Sequence, residues 1–198
     1  CFKLSLSAIR GGVFIIRVIG GQAGGMKLKT PKGMGTRPTV DSVKESVFNI
    51  LNPYIPGSKV LDLFSGTGAL AIEALSRGAE LAYLVDENRN CCGIIRENLA
   101  HTKFLDKGKV YCRKVSNFLK EIGRKDIKFD IVFMDPPYSN NFIQETLQLL
   151  LENDIINDKG IVVAEHHKNE AVSDSMGSLR KVRTKEYGDT RVSFFVNG

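Results

Sequence analysis

No run of apolar residues in this 198-residue chain reaches the roughly 18 needed to cross a bilayer. A membrane-spanning helix is therefore not expected. The opening CFKLSLSAIRGGVFIIRVIGG has the charged and apolar flavour of a targeting peptide. Arg10 and Gly11-Gly12 break its apolar stretch, and no clear small-residue cleavage site follows, so export is not expected. Cysteine is scarce as well. The four are Cys1, the vicinal pair Cys91-Cys92 and Cys112, and none has the spacing of a zinc site. His166 and His167 are neighbours whose side chains diverge, so no metal is expected. Free thiols point to a reducing compartment and a cytoplasmic location.

Acid is missing from the first part of the chain. Residues 1–44 hold eight bases (Lys3, Arg10, Arg17, Lys27, Lys29, Lys32, Arg37, Lys44) against Asp41 alone, a net of +7. The remainder carries 20 bases and 21 acids, a net of −1. A basic arm on a near-neutral body suits phosphate binding, with a merely solvated surface as the alternative. Residues 17–37, rich in glycine, read as a flexible basic segment with hairpin character.

From Thr39 the apolar positions Val40, Val43, Val47, Ile50 and Leu51 recur at helical spacing, and Pro53 and Pro56 close the helix. Strands and helices then alternate. Strands are expected at 59–64, 79–85, 110–112, 130–134 and 160–165, with helices at 68–77, 89–101, 118–122 and 142–151. Such alternation predicts an α/β fold, a doubly wound and mostly parallel sheet. Residues 181–187 and 191–196 flank Gly188-Asp189 and predict a C-terminal antiparallel hairpin. The expected organisation is an extension over 1–16, a basic β/loop arm over 17–38 and a Rossmann-like domain over 39–198.

Two stretches carry chemistry. VLDLFSGTGALAIEAL, residues 60–75, reads as strand, tight glycine loop and helix, with Gly66 and Gly68 leaving backbone amides bare for a ligand. Ala71 stands where a dinucleotide fingerprint has its third glycine, so a smaller adenosine-type ligand is expected. Asp86 ends the next strand about 20 residues on, where a carboxylate can accept ribose hydroxyls. Asp62, inside the first strand, is read either as a cofactor-side group or as a cap for the loop amides.

The second stretch is Asp135-Pro136-Pro137-Tyr138. Two prolines cannot join a sheet ladder, so the fourth core strand ends there, at the edge of the expected cleft. A carboxylate, the Pro136 carbonyl and a flat ring match a planar base bearing an exocyclic amine. Asp135 and Pro136 can accept both amine hydrogens while Tyr138 stacks on the base. Held this way, the amine is oriented to attack an electrophilic methyl group, with Asp135 the plausible proton acceptor.

Together LDLFSGTGALAIEALSRGA, LVDENRN and DPPY resemble the motifs of class I S-adenosylmethionine-dependent methyltransferases that act on amines. RVIGGQAGG, TRPTVDSVKESVFNIL and KEYGDTRVSFF more narrowly resemble the bacterial 16S ribosomal RNA guanine-N2 methyltransferase family, from Arg17 to about Val196. That resemblance implies S-adenosylmethionine as cofactor and methylation of a guanine N2 amine in 16S ribosomal RNA, on the RNA or a small-subunit intermediate. It implies Asp135, Pro136 and Tyr138 as amine and base contacts. The implied cofactor residues are Asp62, Phe64, Ser65, Gly66, Thr67, Gly68, Asp86, Glu87 and Val115. Lys27, Lys29, Lys32, Arg37, Pro38 and Thr39 would face the RNA. Lys114 stands where relatives often carry Asp or Asn to read the adenine amine, which leaves that contact to the Val115 backbone. A monomer is expected. Two other readings remain open: amino-methylation of adenine or protein glutamine, and a non-catalytic RNA-binding assembly factor.

Overall fold

The computed structural model describes residues 16–31, 38–136 and 142–198, with the backbone alone for 38–40. Lys32, Arg37, Pro137 and Tyr138 lie outside the described residues, and for Pro38 and Thr39 only their helical backbone is on view. The glycine-rich start folds into a two-stranded antiparallel hairpin, β1 (Ile16–Arg17) with β2 (Lys27–Leu28). Helix α1 (Pro38–Leu51) follows and gives way at Pro53 to a short 3-10 turn, as a proline without an N–H requires.

The remaining elements are β3 (Lys59–Leu63), α2 (Ala69–Ser76), β4 (Leu81–Asp86), α3 (Arg89–His101), β5 (Gly108–Cys112), α4 (Val115–Gly123), β6 (Phe129–Met134), α5 (Phe142–Glu152), β7 (Ile156–His167), β8 (Ser175–Met176), β9 (Leu179–Tyr187) and β10 (Thr190–Asn197). They build one eight-stranded sheet in the order β5-β4-β3-β6-β7-β10-β9-β8. The pairs from β5 to β7 are parallel, and β10, β9 and β8 add in antiparallel fashion. One face packs apolar residues of α1, α2 and α3 against Val60, Leu84, Phe133 and Val163. The other packs α4 and α5 against Leu61, Leu63, Val85 and Val132. Burial on both faces explains why the central strands are near-continuous apolar runs.

The expected doubly wound sheet with its terminal hairpin is present. β7 begins four residues earlier than the apolar run suggests, because the polar segment Ile156–Lys159 is held by Asn197 and by the Asn157–Asp130 hydrogen bond (2.7 Å). Helix α4 likewise starts at Val115, three residues before the expected Phe118. No described helix is long and apolar enough to cross a membrane.

The N-terminal hairpin differs most from expectation, since residues 16–31 are clamped to the core. The fully buried carboxylate of Glu73 in α2 accepts hydrogen bonds from the amides of Ile19 (2.7 Å) and Gly20 (2.9 Å). It also faces Arg77 Nε at 2.8 Å and the buried Lys44 of α1 at 3.4 Å. Lys44 in turn donates to the Arg17 carbonyl. Ser76 completes the clamp through the Ala23 amide (2.9 Å) and the Gly20 carbonyl (2.5 Å). The hairpin lies so close to α2 that a Cβ on Gly21 would sit 1.9 Å from the Ser76 carbonyl oxygen.

Removing Glu73 leaves Lys44 buried without its counter-charge, a loss worth about 3–5 kcal/mol. Glu73→Ala is expected to lose stability on that scale in equilibrium denaturation. Faster hydrogen exchange at the amides of residues 18–24 should accompany it, and unchanged exchange there would refute the clamp.

Candidate active site

The strand order reverses between β3 and β6, and in open α/β sheets the ligand crevice opens there, beyond the carboxyl ends of the strands. Leu63, Val85 and Met134 mark that level, since Leu63 pairs with both of the others. The chain beyond β3 makes the glycine loop. Phe64 adopts φ 61°, a left-handed conformation rare for a bulky residue, and its ring meets Phe142 edge-on at 6.5 Å. Phe64 thereby stands as one wall of a cleft of about 440 Å³ shared with Asp86, Glu87, Lys114, Val115 and Phe142.

Asp86 is buried at the end of β4 and tied down at both oxygens. One accepts the Gly66 amide (2.9 Å) and the other the Asn88 amide (2.8 Å). Each oxygen keeps a further lone pair for a ligand. Val115 opens α4, whose first-turn amides have no partner inside the helix and line the same cleft beside Lys114. Cys92 packs behind this corner with its sulfur 3.4 Å from the Asp86 carbonyl, and burial pushes its thiol up to about 12. It is an inert filler.

The loop itself corrects one expectation. Its glycine amides are not bare, because Gly66 N–H goes to Asp86 and Gly68 N–H to the Ser65 carbonyl at 2.7 Å. Gly68 is required for packing: at φ 77° a Cβ would press on Leu84 at 3.0 Å and Ile95 at 3.4 Å. Ser65 spends its hydroxyl on the Asp62 carbonyl (2.5 Å) and the Val85 amide (3.0 Å), stapling β3 to β4. The Thr67 carbonyl accepts from the Asn98 side chain at 2.9 Å. The Asp62 carboxylate takes the Ala71 amide at 3.2 Å, a bond to the first turn of α2 and not to the loop amides.

Asp135 follows β6 and is buried, as is Pro136. It does not line the Asp86 cleft. It opens instead onto a small cavity toward α1, walled by Val43, Lys44, Val47, Leu70 and Glu165. Glu165 is the residue sequence reasoning missed. Met134 pairs with Ala164, so Asp135 and Glu165 are the next residues on adjacent parallel strands, both buried on the α1 face. Burial raises the Asp135 carboxyl to about 6. Burial, and after it the Asp135 charge, hold the Glu165 carboxyl well above the carboxylate range. The one signal was an acid inside an apolar strand, GIVVAEHH, a costly placement unless it serves a site.

The basic residues expected to face RNA are only partly seen. Lys27 is exposed on β2. Lys29 forms an ion pair with Glu97, and its backbone is gripped by Asn98 through the amide (2.7 Å) and the carbonyl (3.0 Å).

Known proteins resemble this chain along most of its length. A family model described as conserved hypothetical protein 95 matches residues 16–196. Ribosomal RNA small subunit methyltransferase D of Escherichia coli K12 is 39% identical over 150 residues, 76% of this chain and 74% of that protein. YlbH of Bacillus subtilis 168, named as a candidate rRNA methyltransferase, is 36% identical over 180 residues, 91% of this chain and 98% of its own length. The solved structure of yhhF from Escherichia coli, named as a candidate methyltransferase, superposes with a TM-score of 0.81 at 34% identity, covering 92% of this chain and 98% of that one.

Burial raises Asp62 from 3.8 to about 7. A carboxyl whose folded pKa exceeds its unfolded value binds more protons folded than unfolded between the two. Its contribution to stability therefore falls as pH rises across that window. Asp62→Asn keeps an acceptor for Ala71 without the charge. Its stability relative to the parent is expected to improve between pH 4 and 7 and to level off above, as read from unfolding curves at each pH. A pH-independent difference would refute a buried, titrating Asp62.

Proposed function

The chain belongs to the conserved hypothetical protein 95 family, and from that premise we propose that it methylates the exocyclic N2 amine of a guanine in 16S ribosomal RNA, using S-adenosylmethionine. The observation that carries the reading is the pairing of an adenosine-sized cleft at Asp86 with a buried carboxylate, Asp135, at the same sheet edge.

The cleft fits the cofactor's nucleoside. Asp86 offers lone pairs to ribose hydroxyls, and Phe64 and Val115 supply apolar walls for a flat base. The first-turn amides of α4, starting at Val115, are the donors for the adenine edge, which assigns no reading role to Lys114. Ser65, Thr67, Gly66 and Gly68 act by shaping the loop, and Asp62 by capping α2. Bound there, S-adenosylmethionine supplies an electrophilic methyl group on a sulfonium.

The target amine lies against Asp135, which accepts one of its hydrogens, and the Pro136 carbonyl accepts the other. Guanine N2 is a weak nucleophile because its lone pair is delocalised, so the two acceptors stabilise the positive charge that grows on nitrogen in attack. Asp135 then takes the proton. Its carboxyl, raised by burial to about 6, is ionised above that pH and can accept it. Tyr138, outside the described residues, is proposed to stack on the base. The substrate is ribosomal RNA or a small-subunit intermediate, which puts the enzyme in the cytoplasm, acting as a monomer. The division into an extension over 1–16, an arm over 17–38 and a catalytic domain over 39–198 is proposed on the same footing.

The decisive assay is transfer of labelled methyl from S-adenosylmethionine to small ribosomal subunits lacking the modification, with nucleoside analysis. Label in N2-methylguanosine is expected. Label in another nucleoside or in protein would overturn the base assignment, and cofactor binding without transfer would favour a non-catalytic assembly factor. Asp135→Ala is expected to cut the rate at least about 10²-fold while cofactor affinity stays within a few-fold. Parallel loss of cofactor binding would remove Asp135 from the amine.

A further inference from the structure

The catalytic carboxylate stands at one end of a row that crosses the sheet. Val192 of β10 pairs with Glu165 of β7 on one side and with Lys185 of β9 on the other. Asp135, Glu165, Val192 and Lys185 thus follow one another across four neighbouring strands, and Arg183 occupies the next position of that face, paired with Phe194. Paired side chains in a sheet share a face. Val192 and Phe194 pack in the α1-side core with Val43 and Val47, so Lys185 and Arg183 emerge on the α1 side, beyond the core's edge. Both are exposed, and they line a shallow groove with Ser46 and Asn49 of α1. Helix α1 separates groove and catalytic cavity, with Val43, Lys44 and Val47 facing one and Ser46 and Asn49 facing the other.

The charges sort in the same way. Elsewhere on the hairpin, Lys181 pairs with Asp174 (2.7 Å), Lys168 with Asp189 (2.6 Å) and Arg191 with Glu186 (2.6 Å). The Arg180 guanidinium donates to the Gly177 carbonyl at 2.7 Å. Among the described residues, no carboxylate forms an ion pair with Arg183 or Lys185. Glu45 is the acid that lines their groove.

We infer that Arg183 and Lys185 bind the phosphates flanking the target nucleotide, so that the outer strand of the hairpin, and not the N-terminal hairpin alone, grips the RNA. The inference rests on the proposed RNA substrate. At the usual strand spacing, Lys185 stands about 14 Å from Asp135. A nucleotide is shorter than this from its base edge to its own phosphate, and the reach of a lysine or arginine side chain covers the remainder. A guanidinium can take a phosphate through two parallel hydrogen bonds, and the lysine adds a mobile point charge. Lys29, by contrast, is already paired with Glu97.

The test is the double variant Arg183→Ala/Lys185→Ala, assayed for methyl transfer to small ribosomal subunits across a KCl series, with cofactor affinity measured by calorimetry. The expected result is a KM for subunits raised about tenfold at low salt, and a log–log salt dependence shallower by about 1.5. kcat and cofactor affinity should stay within twofold. The single variant Glu45→Gln should lower KM. An unchanged KM and salt slope would overturn the inference, as would equal loss of cofactor binding. If the parent protein transfers no methyl to subunits, the underlying reading fails. The same slope comparison by direct binding to 16S ribosomal RNA then decides the phosphate contact on its own, a retained difference supporting it and identical slopes overturning it.

Discussion

One buried carboxylate holds the front of this molecule together. Glu73 has no exposure to solvent and answers to four partners from three separate stretches of chain: the amides of Ile19 and Gly20, the ammonium of Lys44 and the guanidinium of Arg77. A charge in that position is tolerable only while it is fully compensated. Its compensation fixes the N-terminal hairpin against α2 and sets α1 over the same face of the sheet. Since α1 walls the cavity of Asp135 and Lys44 itself lines it, the shape of that cavity depends on the Lys44–Glu73 ion pair.

The site itself is a set of acids at strand ends whose surroundings give them different work. Asp86 accepts one backbone amide at each oxygen and holds the glycine loop, Asp62 caps a helix, and Asp135 faces the α1-side cavity with the buried Glu165 beside it. The parallel sheet is what gathers them. Asp62, Asp86 and Asp135 come from three adjacent strands, at or near their carboxyl ends, and no loop rearrangement is needed to bring them together.

Much of this was legible from residue order. The strand–glycine–helix pattern at 60–75, the acid at 86 and the strand at 130–134, stopped by the prolines after Asp135, each announce themselves by local chemistry, and strands alternating with helices dictate a parallel sheet. What was not legible depends on long-range partners. Glu73, Ser76 and Asn98 look like ordinary helix positions, and only the fold shows them gripping residues 53 to 69 positions away. For the same reason the glycine-rich start read as a loose arm. The glycine amides read as vacant because Asp86, twenty positions on, was assigned to a ligand alone, and Glu165 was hidden inside an apolar run that reads simply as core.

The position of β10 has a consequence for how the protein comes into being. β9 is synthesised before β10 yet lies outside it, so the sheet cannot grow strand by strand in the order of translation. Until β10 slots between β7 and β9, the Glu165 edge of β7 is an open template with unpaired amides and carbonyls. The cavity wall at Val192 does not yet exist at that stage. The cavity beside Asp135 is therefore complete only once β10 is in its place between its two neighbours.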